Sequence, residues 1–402
     1  MPPQNPNPQI PPALRHRSLN RRRQFSSGSG FNPGPQPPGP GPKKSSKLRF
    51  LDHREKWRSL RTRHKVIVII LALVVIVAGS LIARSLLSGS SEAAIDVNKT
   101  ERKVLTVASP LSGVQVDPEL AKRPVTAIMI ENSPDARPQS GIADAGVIFE
   151  AIAEGGITRF ITLYQETQPQ HIGPVRSLRP YYIDWAAAFD ASIVHIGGSP
   201  DALAQIRSGG KDLDQFFNAG SFWREGSRPA PHNVYTSFEK LDALNKAKGY
   251  DSSTFTPWPR KVDQKLATPM AKTIDLAISS ANFNVHYDYD PSYNFYRRSE
   301  GGGAHLATSS AGDKTGVQIA PKVVVALVVP YRIVDSSGHS GYGVNGSGTV
   351  YIFQDGFVVQ GTWSKVDRGS QLTFKDTAGE PIELNTGQTW VSVVQDGQVH
   401  YQ

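Results

Sequence analysis

The stretch IGPVRSLRPYYIDW (172–185) sets two arginines, Arg176 and Arg179, three residues apart. A planar guanidinium is suited to two-point capture of a carboxylate or phosphate. Further along, HIGGSP (195–200) has the pattern of a strand turning through paired glycines into a helix, with Ser199 at the N-cap and Pro200 at N1. Free backbone N–H groups at the positive end of a helix dipole attract anions. The predicted ligand set is therefore Arg176, Arg179, His195 and the turn Gly197, Gly198 and Ser199. Arg137, Arg159 and Asn233 are expected around them, with Arg224 a further candidate cation. Acid–base chemistry would fall to Glu154, His195 and His232, with Glu150 as an alternative acid. Each of these residues also has a structural reading. The arginines can pair with Glu150, Glu154 or Asp184, His195 can be a satisfied strand-end histidine, and His232 in APHN can pin a loop. Ser199 fits an N-cap better than a nucleophile, since GxSxG is absent. HExxH, P-loop and EF-hand patterns are absent too, so no metal and no cofactor is predicted.

These residues must be positioned by elements legible in the pattern. VTAIMIE (125–131) reads as a buried strand, and GVIFEAI (146–152) and ITRFITLYQ (157–165) as a hairpin turning at AEGG. After Pro180, the residues Tyr182, Trp185, Ala186 and Phe189 fall on one helical face. SIVHI (192–196) is a strand, and a helix follows Pro200. Thr236 and Glu239 have capping-box spacing before FEKLDALNKAK, which Gly249 ends. FTPWP (255–259) is a loop, and one more helix is expected near 268–281. Beyond it the chain is rich in short β-branched and aromatic runs, with a hairpin signal at QDGF (354–357). VHYDYDPSYNFYRR (285–298) reads as a sheet face, with a sugar-stacking platform as its rival. The predicted class is α+β: a mixed α/β domain over 122–265, then a mostly-β domain over 266–402.

The 402 residues carry a formal charge of +9, but residues 1–65 hold 15 Lys/Arg against only Asp52 and Glu55, so the remainder is net acidic. Residues 1–42 contain 12 of the 30 prolines and read as disordered. Residues 66–83 carry no charge and are apolar apart from Ser80, long enough for a transmembrane helix. Arg61, Arg63 and Lys65 precede that run, so the N-terminus is expected in the cytoplasm and residues 84–402 outside, with 84–121 a stalk. The basic arm has two readings, a topogenic tail touching anionic lipid or a cytoplasmic contact for nucleic acid or protein. No nucleic-acid partner is expected for the outer part. The chain has no cysteine, which excludes disulfides, thiol nucleophiles and thiolate metal sites.

RPVTAIMIENSPDARPQSGIADAGVIFEAIAEGGITRF (123–160), GPVRSLRPYYIDWA (173–186), HIGGSPDA (195–202) and PHNVYTS (231–237) resemble, in order, the first domain of the YerB-like lipoproteins. GTVYIFQDGFVVQGTWSK (348–365) and ELNTGQTWVSVV (383–394) resemble that family's second domain. The resemblance spans about residues 122–397. It implies a membrane-attached extracytoplasmic protein, in this family held by an acylated cysteine. This chain has none, so a transmembrane helix is expected to take the lipid's place. No reaction is implied. The expected function is binding of an anionic cell-envelope ligand by the first domain. The rival readings are a hydrolase of envelope glycan or phosphodiester bonds and a scaffold without ligand.

Overall fold

The structure is a computed structural model that describes residues 105–309 and 315–402, together with Ile70. The basic arm and, Ile70 apart, the 66–83 stretch lie outside the described residues. Among the described residues no helix is long and apolar enough to cross a membrane.

The first half contributes β1 (Thr126–Glu131), β2 (Val147–Glu154), β3 (Ile157–Tyr164), α1 (Pro180–Ala187), β4 (Ser192–His195), α2 (Pro200–Arg207), β5 (Asp212–Asp214) and α3 (Phe238–Lys248). The second half contributes β6 (Thr273–Leu276), β7 (Val285–Asp290), β8 (Phe295–Glu300), β9 (Val323–Val328), β10 (Gly346–Gln354), β11 (Phe357–Lys365), β12 (Thr373–Asp376), β13 (Thr389–Val394) and β14 (Val399–Tyr401). The described residues are thus mostly β, with few helices.

Both halves share one ten-stranded sheet, ordered β12-β11-β10-β9-β13-β2-β3-β1-β4-β5. β13 is its seam, lying parallel to β9 on one side and to β2 on the other. β1, β4 and β5 run parallel, so Glu131, His195 and Asp214 end their strands at one edge. Strands covered on both faces carry near-continuous apolar runs. In β1, Ala127 and Met129 face the core under α1, while Ile128 and Ile130 face the core under α3. The predicted α1 stripe is buried as a unit, with Trp185 stacked on Phe149 at 5.3 Å between ring centres. Gly155-Gly156 and Asp355-Gly356 close two hairpins with both central residues in the left-handed region.

A second sheet joins β8, β7, β6 and β14. Its β6 corrects the helix expected near 268–281. Ile274 and Leu276 are buried and Asp275 is exposed, the period of a strand. The aromatic run 285–298 is a sheet face that turns Tyr287, Tyr289 and Tyr296 into the core, while Tyr293 stays exposed and stacks on Phe295. Ser237, one residue later than expected, caps α3 by accepting from Lys240 N, while the Thr236 hydroxyl donates to Ser221 O. Residues 105–121, expected in the stalk, already pack on this unit. Val107–Ala108 pairs with Gln115–Val116, and Leu111 is fully buried.

Candidate functional site

A cavity of about 520 Å³ lies at the carboxyl edge of β1, β4 and β5, the edge at which open sheets with parallel strands commonly hold ligands. The 176–178 segment is laced across that edge: Arg176 N donates to Met129 O at 2.9 Å, and Ile196 N donates to Arg176 O at 3.1 Å. Three arginines line the cavity. Arg176 sets Nε 3.3 Å from Glu131 Oε2 and stays part-exposed. Arg207, in the last turn of α2, donates to Asp214 Oδ2 at 3.2 Å. Arg224 is exposed, and its Nη1 donates to Asn233 Oδ1 at 2.8 Å. Phe216 and Phe217 complete the wall at 69% and 71% exposure, and the Arg207 guanidinium sits over the Phe217 ring at 5.2 Å.

Of the residues singled out from sequence, Arg176, Arg224, Gly197 and Gly198 meet in this cavity, and Asn233 braces Arg224. The others go elsewhere. Arg159 and Arg179 each bind one oxygen of Glu154. Their second donors reach Ser177 O at 3.1 Å and Leu178 O at 2.7 Å. Burial would raise the Glu154 carboxyl, but the two guanidiniums outweigh it and hold the group below its ordinary value. Glu154 is thus an anchor and no acid. His195 is fully buried, with Nδ1 2.8 Å from Gly197 O and Nε2 2.9 Å from Asp212 Oδ1, so neither nitrogen is free for a ligand. His232 Nδ1 is 2.8 Å from Glu131 Oε1, which also accepts from Ser133. The paired-glycine turn is no open nest either. Gly197 N donates to Asp214 Oδ1 and Ser199 N to Leu178 O, each at 3.2 Å. Asp214 occupies the place an anion was expected to take.

The family models for the protein of unknown function DUF3048 match residues 111–251 with its N-terminal domain and 274–391 with its C-terminal domain. The chain is 32% identical over 296 residues to "Putative lipoprotein YerB" of Bacillus subtilis (strain 168), covering 72% of this chain and 86% of that relative. The chain belongs to the YerB-like family. The crystal structure of the YerB protein from Bacillus subtilis aligns with a TM-score of 0.66 at 29% identity, over 74% of this chain and 99% of that one.

The two YerB-like segments meet in a buried polar network that sequence reading missed. Glu150, fully buried, accepts from Arg298 Nη2 at 2.9 and 3.0 Å, from Trp390 Nε1 at 3.0 Å and from Ser392 Oγ at 3.1 Å. Arg298 lies 4.3 Å over the Trp390 ring and donates through Nε to His305 Nδ1 at 2.8 Å. Burial, then the charges of Arg298 and Arg137, keep His305 neutral, with its other nitrogen 2.9 Å from Gln139 Oε1. Arg137 belongs here, 3.1 Å from Glu300 Oε1, and not at the cavity. Burial pushes the Glu300 carboxyl up to about 7, with Arg298 opposing. A raised carboxyl contributes stability that is complete below the ordinary value of 4.5 and is lost as pH rises through about 7. Melting temperature should therefore fall across that window in the wild type and stay flatter in Glu300→Gln. Parallel profiles for the two proteins would reject the assignment.

Proposed function

We propose that this YerB-like protein is a membrane-anchored extracytoplasmic binding protein that holds an anionic cell-envelope ligand against Arg176, Arg207 and Arg224. The carrying observation is the convergence of three guanidiniums on one open cavity in which Asp214 is the lone lining acid. Arg176 and Arg207 are partly offset by Glu131 and Asp214, and among the described residues Arg224 makes no ion pair. Charge-assisted bonds from such groups contribute about 1.5–3 kcal/mol each. Anchoring is supported by the uncharged run 66–83 behind its basic flank, and by the lipoprotein name of the Bacillus subtilis relative. The chain has no cysteine to acylate, which favours that run as the anchor. The hydrolase reading has no support from Glu154 or His195, whose polar atoms are engaged within the protein.

Titration of the full chain in detergent with pyrophosphate should give saturable binding. Arg176→Gln combined with Arg224→Gln should weaken it by roughly a hundredfold. Unchanged affinity in that variant would remove the cavity from consideration, and no binding by either protein would favour the scaffold reading.

A further inference from the structure

A second cavity, of about 410 Å³, adjoins the first. Two chain segments are divided between them. From 176–180, Arg176 and Ser177 face the first cavity and Arg179 and Pro180 the second. From 196–201, Gly197 and Gly198 face the first and Ser199 and Asp201 the second. The wall between them is a single backbone rung, in which Leu178 N donates to Gly197 O at 3.0 Å and Ser199 N to Leu178 O at 3.2 Å. Along each segment the cavities are only one or two residues apart, at about 3.3 Å per residue, so the ridge is thin.

The second cavity differs in chemistry. Its far wall is the hairpin of Tyr331–Ile333 and Ser340–Tyr342. Its charges are mostly answered from within: Arg179 by Glu154, His339 by Asp335 at 2.6 Å, and Asp184 by Arg368 at 2.8 Å. Tyr181 and Tyr342 spend their hydroxyls on the Ile152 backbone and present ring surface. Ser199, 9% exposed, has a buried hydroxyl with no hydrogen-bond partner. It gives α2 no side-chain cap and borders this space. A buried hydroxyl without a partner is costly unless something supplies one. Aromatic surface, balanced charge and an orphaned hydroxyl suit a neutral, hydroxyl-rich group better than a second anion.

We infer that the two cavities are halves of one groove that takes an acidic oligosaccharide laid across the Leu178–Gly198 ridge. The charged unit lies against the arginines and a neutral sugar unit fills the second cavity. This rests on the first cavity being an anion site.

The test uses the full chain in detergent, with glucuronic acid alone and with the disaccharide of glucuronic acid and N-acetylglucosamine. The disaccharide, which carries both units, should bind at least about tenfold more tightly than glucuronic acid, because the second contact is made without a second association cost. Asp201→Trp, at an exposed position bordering only the second cavity, should abolish that gain and leave affinity for glucuronic acid unchanged. Ser199→Ala should reduce the gain by a few-fold. Equal affinities for the two lengths, or a gain that survives Asp201→Trp, overturn the groove and leave the anion site standing. Binding of pyrophosphate but of neither sugar has the same consequence. Failure of all three probes to bind overturns both readings.

Discussion

Glu150→Leu should lower the stability of this protein by about 3–5 kcal/mol, because it strands a fully buried guanidinium. Burial alone would depress Arg298, and Glu150, with Tyr287 and Glu300 beside it, outweighs burial to hold it above its ordinary value. Without that carboxylate, Glu300 Oε1 at 3.6 Å from Nη2 is the nearest remaining negative charge and offsets only part of the loss. For a folded unit of this size the melting midpoint should fall by roughly 5–10 °C. Arg298→Met should do similar damage, leaving Glu150 with only Trp390 and Ser392 as donors. The double variant Glu150→Leu/Arg298→Met should recover more than half of either loss, since no lone charge remains. Thermal melts of the four proteins complete the cycle. Single variants within about 1 kcal/mol of wild type, or losses that simply add, would mean that the pair is not the seam between the two halves.

Glu154→Gln should cost roughly 2–4 kcal/mol, less than the first change because Glu154 is part-exposed. It releases Arg159 and Arg179, both buried. The effect should reach beyond stability. Those arginines hold Ser177 O and Leu178 O, so Glu154 sets the ridge between the cavities while lining neither. Affinity for pyrophosphate should fall several-fold although no ligand contact is removed. The sign with pH is opposite to that of Glu300. A depressed carboxyl contributes stability that is present above the ordinary value of 4.5 and is lost as pH falls through the lower folded value. Wild type and variant should therefore converge on acidification. A gap in melting temperature that is constant down to strong acid would contradict the clamp.

Much of the local structure was legible because it depends on residues close in sequence. The α1 stripe follows from helical spacing, the hairpins at 155–156 and 355–356 from residues that tolerate positive φ, and the α2 start from Ser199-Pro200. The segment 268–281 was misread because a short apolar run has no period of its own, and β6 is a strand through its pairing with β7 and β14. Arg176 was legible as a residue of the candidate cavity, but its separation from Arg179 was not. The segment crosses the ridge at Leu178, so the residues before it border one cavity and those after it the other. Arg179 is extended at φ −132°, and the two guanidiniums part across the ridge. Arg207, Phe216 and Phe217 had no signal beyond charge and an aromatic pair in a polar stretch, and they join the site through the β4–β5 pairing.

By itself the sequence determined the family, the positions of most strands and helices, the basic flank before an uncharged run, and an arginine beside a paired-glycine turn. All of these are read within a few residues, where spacing and backbone preference act directly. Only the tertiary structure decided which carboxylate answers which guanidinium. Glu150 meets Arg298 across 148 positions, Glu154 takes Arg159 and Arg179, and Asp214 takes the turn that had looked open to an anion. Strand register fixes those partnerships, and register is a property of chain segments brought together from far apart.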